Sequence, residues 1–266
     1  MCHFNRIFES IVTISGLLLI ITVTSFVTPH CRPISWDDAS INNTYVRDTA
    51  GVRWFVRFSF ALVLLLYCAV QKARCRDLWP WIGGQLFTTA LQGVMTQVLQ
   101  LYAGRPRPDY LSRLRYHGYD KDSYIGSTVT PSSEASYWCE LGRKHTDLRD
   151  GRLSFPSLEA SLMFSLSVFV IFFLWEQLQP SAGGGSLTRM AAAVSPIIFA
   201  ILSCVDQTRK NESGFDDVLA GAFVGTMCAV LCYNTVLPKL KDGACASPPR
   251  VGWLMRKQSR GHGVIV

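Results

Sequence analysis

Long uncharged apolar stretches alternate with polar clusters along this chain. A bilayer crossing takes roughly 17–25 residues. On that scale the pattern predicts six membrane-spanning helices, at about 9–28, 54–71, 78–104, 158–176, 189–206 and 216–237. The first is read as a retained span rather than a signal peptide, because no small-x-small cleavage site follows it and further spans come later. The second carries Arg57 one turn inside its end, placed to snorkel to the interface. The third opens on Trp79-Pro80-Trp81, aromatics suited to interface depth around a proline suited to a first helical turn. Pro196 is expected to kink the fifth. Residues 105–157 form one long polar loop, and 183–185 form a glycine run suited to a flexible link. The expected fold is therefore all-α, a polytopic six-helix bundle over 1–245 with a basic tail at 246–266.

Charge orients the bundle. Lys72, Arg74 and Arg76 follow the second span at once, and Lys239, Lys241, Arg250, Arg256, Lys257 and Arg260 follow the sixth. The positive-inside rule puts both groups, and so both termini, in the cytosol. Three polar clusters then share the outer or luminal face: Arg105-Pro106-Arg107-Pro108, Ser154-Phe155-Pro156-Ser157 and the turn 206–217. Asn42-Asn43-Thr44, in the first outer segment, is a glycosylation sequon on that same side. Arginine forks beside a serine hydroxyl suit a phosphate, because planar donors meet phosphate oxygens in pairs.

Composition narrows the classes. Charged residues make up 17% of the 266, against about 25% for soluble domains. The net charge of +7 sits in the flanks of apolar segments, which argues for membrane topology and against nucleic acid. The nine cysteines include no Cys-x-x-Cys pair, so no zinc pattern is present and no metal or cofactor is implied. Most fall in or beside apolar segments as small hydrophobes. Cys31 and Cys139 lie in the two outer segments, where an oxidising compartment leaves a bridge between them open.

The clusters together resemble the motifs of the type 2 phosphatidic acid phosphatase superfamily, and within it the lipid phosphate phosphatases. That family is built on six helices with a site at the outer ends of helices three to six. Gln100 to Pro108 is similar to its K-x6-R-P motif, with Gln100 where lysine belongs. Gly151 to Glu159 is similar to its P-S-G-H motif, with Leu158 for glycine and Glu159 for histidine. Asp216 to Gly221 resembles the end of S-R-x5-H-x3-D. Aligned on Asp217 without gaps, Ser213 takes the place of the nucleophilic histidine and Gln207 that of an arginine. Aligned instead on Ser203, Cys204 takes the arginine's place and the interval to Asp217 is three residues too long.

The resemblance implies a histidine that attacks phosphorus, an aspartate that orients it, a second histidine that protonates the leaving alkoxide, and cations, a serine and a backbone glycine around the phosphoryl oxygens. Carried over position by position, Arg107, Ser157 and Asp217 remain, and neither histidine does. The degenerate catalytic positions are Asp217, Glu159 and Ser213; the phosphate-binding candidates are Gln100, Arg107, Ser157 and Arg209. Glu159 can serve as an acid only if burial raises its pKa. His117 or His145 from the long loop folding over the site, or Arg209 and Lys210 replacing the missing cations, would be rescues. Ser157 and Asp217 also suit plain helix caps, and Arg105 and Arg107 plain headgroup anchors.

The function expected is a lipid phosphate phosphatase-like membrane protein, catalytically impaired, that binds a phospholipid or phosphate ester at the outer face of an internal or plasma membrane. The alternatives are a working lipid phosphatase with an altered site, or a structural membrane protein or transporter. A homo-oligomer is left open.

Overall fold

The computed structural model describes residues 2–45, 67, 78–121, 137–141, 145–181 and 185–241. Its helices are α1 (Cys2–Phe26), α2 (Leu78–Ala103), α3 (Tyr110–Tyr116), α4 (Thr146–Asp150), α5 (Leu158–Leu178), α6 (Leu187–Val194), α7 (Pro196–Arg209) and α8 (Phe215–Lys241). A single 3-10 turn spans Ala39–Ile41, and there is no strand among the described residues. Among the described residues, three stretches are long and apolar enough to cross a membrane: Leu158–Leu178, Leu187–Arg209 and Phe215–Thr235. Ile11–Phe26 is a shorter apolar helix. The expected span at 54–71, apart from Tyr67, and the tail at 246–266 lie outside the described residues.

Each helix end has a local cause. Ser157 precedes α5 in an extended conformation, and its hydroxyl accepts the Ala160 amide at 3.3 Å, which satisfies one of the amides a helix start leaves open. Ser186 accepts the Arg189 amide at 3.5 Å in the same way before α6. At Pro196 the helix is interrupted, as expected: α6 stops at Val194 and Pro196 opens α7, since proline has no amide to continue the ladder, but Ser195 between them keeps right-handed helical dihedrals and the two form one continuous apolar stretch. Gly104 ends α2 with φ +54, and any side chain there would strike the His30 carbonyl. Only glycine meets both demands cheaply.

The bundle is centred on α2, α5 and α8, which pack on one another; α1 lies against α2, and α6 and α7 lie against α5. Gly221 and Gly225, one turn apart on α8, face the Ser157 and Ser161 carbonyls, which a methyl group at either position would overlap. This small-xxx-small pair lets two helix backbones approach closely, the usual way apolar helices gain contact in lipid. At one end of the bundle Trp81, Phe169 and Phe173 stack edge to face, with centroids at 5.0–5.7 Å around Trp81, and Tyr67 closes the group on Phe173 at 4.5 Å.

α2 is the polar exception. Gln85, Thr88, Gln92, Thr96 and Gln100 are all buried, three or four residues apart and so on one face. Most of their groups find partners inside the bundle: the Tyr67 hydroxyl donates to Gln85 Oε1 at 3.2 Å, Ser161 Oγ to Gln92 Oε1 at 2.8 Å, and Thr96 Oγ1 to Ser161 Oγ at 3.0 Å, while Gln85 Nε2 has none among the described residues. With no water in a bilayer core, polar groups on a buried helix need such internal partners.

The loop expected at 105–157 is not featureless where it is described. Tyr110, Leu111, Leu114, Trp138, Leu141 and Leu148 bury together with Ile41 as a second small core, a cap at the end of the bundle opposite the Trp81 group. Arg113 holds it with a buried bond to Asp109 at 2.8 Å and a half-buried one to Asp147 at 2.9 Å. Cys31 and Cys139 form a disulfide with Cα atoms 5.9 Å apart, an ordinary separation for a bridge. Arg149 Nη2 donates to the Val27 carbonyl at 2.8 Å, tying the cap to the chain just past α1.

Candidate active site at the capped end of the bundle

The C-terminal ends of α2 and α7 and the N-terminal ends of α5 and α8 meet beneath the cap, which brings the three sequence clusters together. Asp217 is their centre, 1% exposed. It lies in the first turn of α8, where an acidic side chain complements the helix dipole. One carboxylate oxygen accepts Arg105 Nη1 at 2.9 Å. The other accepts the Ser154 hydroxyl at 2.6 Å and the Gly214 amide at 3.1 Å. The Gly214 bond is the backward half of a capping box, made by the acidic residue three positions on. Arg105 also reaches Asp216 at 3.6 Å.

The Ser157 amide donates to the Asp217 backbone carbonyl at 2.9 Å, and the Ser157 hydroxyl donates to Gln207 Oε1 on α7. The loop between α4 and α5 is pinned from α2: Gln100 Nε2 donates to the Leu153 carbonyl at 3.2 Å and the Pro156 carbonyl at 2.9 Å. The Ser154 amide donates to the Arg105 carbonyl at 3.1 Å and the Arg107 amide to the Gly151 carbonyl at 2.8 Å. The first two motifs are thus laced backbone to backbone.

Of the residues singled out in the sequence, Ser157 and Asp217 lie in this ring. Gln100 braces it, spending its amide donors on loop carbonyls rather than facing a ligand. Arg107 lies beside it, with Nε buried and without a hydrogen-bond partner among the described residues. Ser213 is buried in the turn before α8. Glu159 is half-buried in the first turn of α5. Arg209 is exposed at the end of α7, and Lys210 pairs with Asp206 at 2.7 Å.

Three residues of the ring were absent from the site expected from sequence: Arg105, Ser154 and Gln207. The signal for each was present. Arg105 is the first arginine of its cluster, Ser154 stands three residues before Ser157, and Gln207 takes the aligned position of an arginine. Among the described residues, neither His117 nor His145 bonds to the ring. His117 contacts Asp147 at 3.3 Å, His145 contacts the Tyr119 hydroxyl at 3.3 Å, and the two imidazoles lie 4.6 Å apart within the cap.

The fold and this ring define a helical integral membrane protein with a buried polar site at one end of its bundle, assembled from four helix ends. The family model described as the PAP2 superfamily matches residues 81–241, which hold every residue of the ring; the chain belongs to that superfamily. It is 26% identical over 217 residues to lipid phosphate phosphatase 1 of Arabidopsis thaliana, covering 80% of this chain and 63% of that protein. It is 28% identical over 231 residues to lipid phosphate phosphatase 2 of the same plant, covering 85% and 76%. It is 24% identical over 244 residues to the "Probable diacylglycerol pyrophosphate phosphatase 1" of Schizosaccharomyces pombe, covering 88% and 84%. No solved structure matches the chain.

Proposed function

We propose that this chain is a catalytically impaired relative of the lipid phosphate phosphatases, a pseudophosphatase that binds a phosphorylated membrane lipid at its capped end. In this reading six helices cross the membrane, both termini are cytosolic, and the capped end faces the lumen or the cell exterior.

One observation carries the reading. The ring around Asp217 gathers Arg105, Ser154, Ser157 and Gln207, yet no histidine lies anywhere between residues 146 and 261. Catalysis in this family resemblance needs an imidazole on phosphorus and a second one on the leaving oxygen. Neutral imidazole is a good nucleophile near neutral pH once a carboxylate orients it. Here the orienting carboxylate is occupied by a guanidinium, a hydroxyl and an amide. That carboxylate is already committed to three donors, and a nucleophile needs a base within hydrogen-bond reach of its own proton. Catalytic groups that act as a unit fail together, so losing the nucleophile alone removes most of the rate.

The test is phosphatidate hydrolysis by the purified full chain in detergent. Turnover at background is the expected result. Robust turnover that Arg105→Ala abolishes would establish a working enzyme with a different nucleophile.

A further inference from the structure

Resting on the reading that this ring binds a phosphorylated lipid, we propose that its ligand is a phosphodiester headgroup with one negative charge, and that a phosphomonoester is disfavoured.

The first support is the donor set. Gln207 is 2% exposed and Ser203 5% exposed. They stand four residues apart on α7 and so share a face. Gln207 Oε1 accepts the Ser157 hydroxyl. Gln207 Nε2 and Ser203 Oγ are both buried without a hydrogen-bond partner among the described residues. Buried donors left unpaired cost stability, and a ligand oxygen at this place would relieve both. These donors are neutral. They suit ester and non-bridging oxygens of modest charge and add nothing to hold a second negative charge.

The second support is the charge around them. Arg105 is committed to Asp217 at 2.9 Å and reaches Asp216 at 3.6 Å. Arg107 is the other guanidinium of the same turn, and its buried Nε is unpaired. Beside these two stand the carboxylates Asp216 and Asp217, in the first turn of α8. One ligand charge can be met by Arg107 and the two helix N-termini. A second meets carboxylates with no further cation among the described residues of the ring, and in a partly buried site such repulsion is weakly screened. The two glutamines that brace and line the site, Gln100 and Gln207, supply hydrogen bonds without charge.

The probes are dioctanoylphosphatidylglycerol, a diester monoanion, and dioctanoylphosphatidate at pH 8, a monoester carrying close to two charges. Isothermal titration calorimetry on the full chain in micelles is expected to give at least about tenfold tighter binding of the diester. Glycerophosphoglycerol, the same diester without acyl chains, separates a lipid source from a soluble one, and competition by it supports the diester either way. Gln207→Leu is expected to weaken diester binding about tenfold; it also strips the Ser157 hydroxyl of its acceptor, so a modest fall in melting temperature accompanies it. Ser203→Ala, a smaller change, is expected to act in the same direction. Phosphatidate binding as tightly as the diester, or Gln207→Leu and Ser203→Ala both leaving affinity unchanged, would overturn this inference and leave the lipid-binding reading intact. Binding of neither lipid by folded protein would overturn both.

Discussion

The two ends of the bundle are built from the same three helices on opposite principles. At the Trp81 end, α2, α5 and α8 meet through rings and aliphatic carbon: Trp81, Phe169, Phe173, Leu174 and Ala229 are buried together. At the capped end the same helices meet through Gln100, Ser154, Ser157 and Asp217, equally buried and joined by hydrogen bonds. An apolar end can be assembled from many residue combinations, because packing asks only for shape and volume. A buried polar end is intolerant, because each unpaired group costs desolvation energy. The contrast marks the capped end as the chemically distinctive one.

The sharpest way to break this comparison is catalytic. If the capped end is a phosphoryl site stripped of its imidazoles, Glu159→His with Ser213→His is the minimum restoration, and phosphatidate turnover should rise above the background of the parent chain. The scale is set by general acid–base assistance, about 10²–10⁴-fold. Release of inorganic phosphate measures it; a flat result beside intact folding would mean that the ring lacks more than its histidines.

Next in size is a cavity at the other end. Phe173→Ala should lower unfolding stability by about 3–5 kcal/mol, read as a drop in melting temperature in detergent, with lipid binding at the capped end preserved. Loss of binding at equal folding would show that the two ends are not separable.

A smaller loss is expected at the polar end. Ser154→Ala removes one hydroxyl from a buried carboxylate, at about 1–3 kcal/mol. Arg105 is 39% exposed in its side chain, so its half of the pair is partly screened and Ser154 carries a real share. Ser157→Ala should cost about 1 kcal/mol through the lost α5 cap. A melt showing no change in either variant would remove the hydrogen-bonded ring as a source of stability.

The smallest effect, and the one that orients the whole comparison, is at Asn42. It is exposed, with its side-chain oxygen held by Arg115 Nη1 at 2.7 Å. Expression in a eukaryotic host should add a glycan that Asn42→Gln removes, seen as a gel shift with no change in melting. A chain left unmodified, together with cytosolic labelling of the cap, would place the ring on the opposite face.

Much of this was legible beforehand, for physical reasons. Apolar runs of bilayer length show in composition, and α2, α5 and α8 begin or end within two or so residues of the expected spans, except that α8 continues to Lys241. Ser157 and Asp217 were legible because cap chemistry and motif order pointed to the same positions. The role of Gln100 was not. Its place in the motif suggests a ligand contact, but the carbonyls of Leu153 and Pro156 need donors, and a neutral amide two motifs away in the chain supplies them. The cap was missed because its core joins Ile41 to residues such as Leu111 and Leu148, none of which forms a periodic run.

By itself the sequence determined that this chain is a helical membrane protein of the PAP2 type and that no histidine stands between residues 146 and 261, because hydropathy and residue identity are local properties. Only the tertiary structure decided which arginine meets Asp217. Arg105 and Arg107 are equivalent in composition and two residues apart. The choice falls to Arg105 because Gly104 turns the chain through a left-handed conformation and the Ser154 amide then holds the Arg105 carbonyl at 3.1 Å. That selection depends on a hydrogen bond across 49 residues of chain, and separations of that kind leave no trace in local pattern.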